Sequence, residues 1–166
     1  MERLLNAIDR FNTVIGRATG VLVFFVSTAI VYEIIMRFLF RRPTVWSNES
    51  TVFACCMVYM LGGAWAMVED RHVRIDVFYH NFSIRKRAIV DICMYPFFAL
   101  YVIVMLWASS NYAWESIKVR ETTMSPWDPP LYPMKIVMTL GLVLLLVQGT
   151  VKLLRDILLL TSRKSS

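Results

Sequence analysis

Glu33 and Arg37 stand four residues apart with the acid on the N-terminal side, the orientation in which one helix face pairs the two charges. They fall within the first long apolar stretch, where a lone arginine near mid-membrane costs about 3 kcal/mol and calls for a partner or a nearby interface. Beyond them, after Arg41, Arg42 and Pro43, come Trp46 and Glu49. The chemistry open to this cluster is ionic pairing at a membrane surface. Arg37 can pair with Glu33 along its own helix and with Glu49 across the short turn, tying the first two helices together. An acid inside a span can also carry protons, the device of a small self-sufficient multidrug exporter. Glu33 is the candidate for that role, and Arg37 one turn away neutralises it.

A second polar cluster runs from Glu69 to His80. His72, Arg74 and Asp76 alternate with Val73, Ile75 and Val77, the period of two expected of a short extended segment with one apolar face. A haem-bearing membrane anchor of a respiratory enzyme would need axial histidines inside the bundle. His72 and His80 lie outside the apolar stretches with no cysteine or third ligand beside them, so neither haem nor metal is expected. Cys55, Cys56 and Cys93 are odd in number and show no metal or disulfide spacing; they read as small buried apolar residues. The expectation is a protein that is not an enzyme and carries no cofactor.

The elements that must position these residues are membrane helices. The 166 residues are 57% hydrophobic, and the mean hydropathy is +0.54, well above a soluble domain. A span needs roughly 20 mostly apolar residues. Four stretches qualify, 18–40, 51–68, 92–114 and 136–160, and they leave no room for a second core. The expected fold is an all-α integral membrane protein, residues 1–166 forming a single four-helix membrane domain. Ahead of it Leu4, Ile8, Phe11 and Ile15 recur at helical spacing, which predicts an N-terminal amphipathic helix lying in the interface before the chain turns into the bilayer. The first apolar run is a full span in length, so it reads as a retained anchor and not as a cleavable signal.

The net charge of +6 does not indicate nucleic acid, because the basic residues flank the apolar stretches instead of forming a tail or a single face. With the N-terminus cytoplasmic, the inner segments carry twelve Lys and Arg and the outer ones six. Short loops rich in positive charge stay inside, so both termini are expected in the cytoplasm. Gly16 and Gly20, and Gly62, Gly63, Ala64 and Ala66, are candidate close-packing positions. Ser47 or Asn48 is placed to cap the second helix, with Glu49 in its first turn. Pro96 falls where it should bend or begin the third helix. Pro126, Pro129, Pro130 and Pro133 predict a stiff, extended outer loop carrying Trp127 and Tyr132.

Three groups of residues, in this order and spacing, resemble a known family: Arg37-Phe38-Leu39-Phe40 with Pro43, Trp46 and Glu49; Gly63-Ala64 followed by His72-Val73-Arg74-Ile75-Asp76; and Pro129-Pro130-Leu131-Tyr132-Pro133-Met134-Lys135 before Gly141. The chain is similar over nearly its full length to the small, DctQ-like membrane subunit of tripartite ATP-independent periplasmic (TRAP) transporters. Thr139 stands where related chains often carry a second proline. The resemblance implies a bacterial inner-membrane protein partnered by a large multi-span, DctM-like subunit, a periplasmic substrate-binding protein and membrane lipids. It implies sodium-driven uptake of small organic anions, with the small subunit bracing an elevator-type partner. Arg37, Trp46, Glu49, Trp127 and Tyr132 would then serve the outer, partner-docking surface, and His72, Arg74 and Asp76 the inner face.

Overall fold

The computed structural model describes residues 2–69 and 83–162. Among these it contains four long helices: α1 (Glu2–Phe38), α2 (Ser47–Val68), α3 (Ile84–Val119) and α4 (Tyr132–Ser162). Each is long and apolar enough to cross a membrane. The expected segment with His72, Arg74 and Asp76 lies outside the described residues.

The helices pack in the spatial order α1, α2, α4, α3, with a brief additional contact of α1 on α4. That order leaves the ring of a conventional bundle open, with α1 and α3 at opposite ends of a row. The consequence is exposure: only 6% of the most apolar stretch of α3, and 22% of that of α4, is buried within the chain.

Small residues set the contacts between neighbours. Ala29, Ala54, Ala64, Ala88 and Ala113 are buried, as expected where helices are drawn together by close van der Waals fit and not by the expulsion of water. A Cβ at Gly141 would lie 2.7 Å from the Met60 carbonyl oxygen, so α4 meets the backbone of α2 there. Gly16 of α1 is covered by the Trp65 ring of α2, and Gly149 of α4 by Phe98 of α3. Gly20 and Gly63 have open space beside them, and Gly62 has only the Thr19 hydroxyl at 3.9 Å. The close approaches on α2 therefore fall at Met60, Ala64 and Trp65, not at the Gly62-Gly63 pair.

Several local expectations change. The amphipathic lead-in forms the first turns of α1 in one continuous helix. No proline or left-handed residue interrupts residues 2–38, and Leu5, Asn12, Gly16 and Thr19 continue a single buried seam. Helix α3 begins well before Pro96 and continues through it. Ser47 caps nothing: Trp46 holds the N-cap position without a side-chain bond, while the buried Ser47 hydroxyl donates to the Ala29 carbonyl of α1 at 3.2 Å. Cys55 and Cys56 are half-buried and Cys93 is exposed, all as free thiols.

Candidate functional site

The turn between α1 and α2 and the loop between α3 and α4 meet at one end of the row. Glu33 organises the turn. Its Oε1 accepts two bonds from the Arg37 guanidinium, at 3.1 Å from Nε and 2.7 Å from Nη2. Its Oε2 accepts the Thr44 backbone N–H at 3.1 Å and the Thr44 hydroxyl. One carboxylate thus holds the end of α1 and staples the returning chain to it. The Arg41 backbone, in the left-handed region at φ 53°, makes the reversal. Trp46 then stacks on Tyr32 of α1, ring centroids 6.0 Å apart.

The expected pairing of Arg37 with Glu49 is not formed. Arg37 is satisfied within its own helix, and the Glu49 carboxylate accepts from the Thr123 hydroxyl of the other loop at 3.3 Å. The tie made by Glu49 runs from α2 to the α3–α4 loop.

That loop is compact, not extended. Thr123 N–H donates to the Pro129 carbonyl at 3.2 Å and Leu131 N–H to the Glu121 carbonyl at 2.9 Å, closing residues 121–131 on themselves. Within it the Ser125 hydroxyl accepts the Trp127 and Asp128 N–H groups, and Asp128 Oδ1 accepts the Met124 N–H at 2.9 Å. Arg120, Met124 and Asp128 take the left-handed backbone conformation without being glycine. Proline stiffens a chain, but it does so equally within a turn when neighbouring side chains satisfy the freed backbone groups. Trp127 and Tyr132 are exposed on this loop and at the start of α4. Arg37, Trp46, Glu49, Trp127 and Tyr132 therefore share one end of the molecule, joined through Glu49 and Thr123.

The base of the loop is clamped by an ion pair between Glu121 and Lys135, with the Lys135 ammonium 4.3 Å from the centroid of the Tyr112 ring. The hydrogen bond from Lys135 lowers the Glu121 carboxyl below its ordinary value of 4.5. A carboxyl lowered by folding contributes stability that is complete above the unfolded value and lost as pH falls through the folded one. Protection of the Thr123 and Leu131 amides from hydrogen exchange is expected to hold at neutral pH and to fall only below pH 4.5. In Glu121→Gln it is expected to be low throughout.

The opposite end carries polar structure that sequence inspection missed. Asn12 and Gln148 are 1% and 2% exposed. Asn12 Nδ2 donates to Gln148 Oε1 at 2.7 Å, and Gln148 Nε2 donates to Asp9 Oδ1 at 2.8 Å. Arg155 completes the chain, 2.5 Å from Asp9 Oδ2 and 3.0 Å from Asn6 Oδ1. Lys152 pairs with Asp91 of α3. A signal existed: Gln148 is a strong polar residue in the middle of an apolar helix, a position that requires a buried partner. Thr139 bonds the Ser109 hydroxyl at 2.8 Å and joins α4 to α3.

Among the described residues no group of three or more His, Cys, Asp and Glu is placed to hold a metal ion. Four helices among the described residues, long and apolar enough to cross a membrane, define a multi-pass membrane component. Residues 26–159 match the family model of the DctQ component of tripartite ATP-independent periplasmic transporters, and the chain belongs to that family, as the small membrane subunit of a TRAP transporter of the inner membrane. A search of curated proteins gives no match.

Proposed function

We propose that this subunit is the static brace of its transporter: it widens the membrane scaffold of a large DctM-like elevator subunit and offers its loop-bearing end to a periplasmic substrate-binding protein, supporting sodium-driven uptake of small organic anions. The observation that carries the reading is the open row of helices. A chain that buries so little of its apolar spans against itself has apolar surface to give to a large membrane partner as well as to lipid. No helix is broken at mid-length among the described residues, whereas subunits that bind substrate and ions commonly use interrupted helices at the midplane. Both termini are cytoplasmic in this reading, which puts the paired loops outside.

Mild-detergent purification from native membranes is expected to recover a large multi-span subunit with this chain; recovery of this chain alone would overturn the brace. The docking surface has a separate test. Trp46→Ala with Tyr132→Ala is expected to lower uptake in proteoliposomes about thirtyfold or more at limiting binding protein, since aromatic anchors of an interface carry about 2 kcal/mol or more. Excess binding protein should restore uptake. Unchanged uptake at limiting binding protein would remove these residues from the docking surface.

A further inference from the structure

Arg3, Arg10 and Arg17 recur at intervals of seven along α1 and are all exposed. Seven residues advance a helix by about 10 Å and turn it only ~20° short of two full circles, so the three guanidinium groups form one stripe. Their interval continues through Phe24, Val31 and Phe38, also exposed. The buried seam of α1, through Leu5, Asn12, Gly16, Thr19 and Ala29, occupies the other side.

Charge is segregated across this helix. Asp9, beside Arg10 in sequence, is turned to the inner seam, with one carboxylate oxygen taken by Gln148 and the other by Arg155. Asp91 is likewise engaged by Lys152. Asp9 and Asp91 are drawn into the packing, and the arginine stripe is left facing outward.

We infer that Arg10 and Arg17 form a binding site for the phosphate of an anionic phospholipid headgroup, whose acyl chains lie along the Val21, Phe24 and Val31 continuation of the same stripe. Depth supports the assignment. The apolar run 18–38 is about 30 Å long as a helix, the thickness of the hydrocarbon layer. Arg17 therefore stands at the hydrocarbon edge. Arg10 lies about 10 Å further along α1, and a tilt within the usual range of 0–40° brings it into the headgroup layer. Arg3, another turn pair beyond, reaches toward water. A basic stripe that passes directly into an exposed apolar one matches an amphiphile with an anionic head. An acidic protein surface would match only the basic half.

The inference rests on the inner placement of the N-terminus given above, but its test does not, because a detergent micelle has no sides. The full chain in mild nonionic detergent is titrated with phosphatidylglycerol or phosphatidylethanolamine, and retained lipid is measured by native mass spectrometry. The parent protein is expected to bind phosphatidylglycerol more tightly than phosphatidylethanolamine. Each arginine near a membrane surface contributes about fivefold, so Arg10→Gln with Arg17→Gln should weaken phosphatidylglycerol binding about 25-fold and leave phosphatidylethanolamine unchanged. Lysine at both positions should keep most of the affinity. The single glutamine variants, each expected to lose about fivefold, serve if the double variant does not fold. Equal binding of the two lipids by the parent, or full phosphatidylglycerol binding by the glutamine variants, overturns the site. A glutamine variant that keeps its lipid but loses the large subunit assigns the stripe to a protein interface and overturns it too.

Discussion

Gly141→Leu is expected to separate α2 from α4 and to prevent recovery of folded protein, and Gly141→Ala to lower stability by about 2 kcal/mol, within the range measured for overpacking. The cause is what the new atom meets. A Cβ there would lie 2.7 Å from the Met60 carbonyl oxygen and 2.9 Å from the Met60 carbonyl carbon. A side chain can rotate aside, but a helical carbonyl is held by its own hydrogen bond. Relief has to come from moving one helix, and among the described residues α2 is the main bridge between α1 and the α3–α4 pair. Gly20→Leu supplies the control: nothing lies within 4 Å of the added atom, and it should change the unfolding midpoint little. The measurement is unfolding in mixed micelles of graded denaturing detergent. Equal tolerance of leucine at both glycines would show that α2 and α4 are not in backbone contact.

Why these two glycines differ is also why the fold was only partly legible. Four spans follow from hydropathy, because each stretch must individually satisfy the membrane, and their limits shift only where polar ends extend the helices beyond the hydrocarbon layer. Helix partners do not follow in the same way: a membrane helix gains nothing from hiding an apolar face, and the sequence of a small residue in contact looks like that of one facing lipid. Of Gly62, Gly63, Ala64 and Ala66 it is Ala64 that is fully buried, and the close contacts of α2 fall beside it at Met60 and Trp65. At the candidate site the i,i+4 spacing of Glu33 and Arg37 dictated their bond. The partner of Glu49 was decided by Thr123, 74 residues away in the chain, and no local pattern carries that information. The proline-rich loop was misjudged for a related reason: its closure depends on which backbone groups Ser125 and Asp128 can reach, not on the stiffness of the prolines.

Gln148→Leu is the second substitution with a large expected effect, a loss of about 2 kcal/mol, because it leaves buried polar groups behind without partners. Gln148 is the middle of the clasp between α1 and α4: it accepts from Asn12 and donates to Asp9. Leucine in its place strands the Asn12 amide, whose oxygen already lacks a partner, in a site that is closed to solvent. The Asp9 carboxylate keeps Arg155 but loses its second donor. Polar bonds between membrane helices average only about 0.6 kcal/mol when measured as pairs, so most of the loss should come from the stranded groups and not from the bond. That distinction is testable. Asn12→Leu combined with Gln148→Leu removes both amides and should recover more than half of the stability lost by Gln148→Leu alone, measured by the same detergent unfolding. If the double variant is no more stable than Gln148→Leu, the stranded Asn12 amide is not the source of the loss, which then lies in the donor that Asp9 has lost or in the fit of leucine.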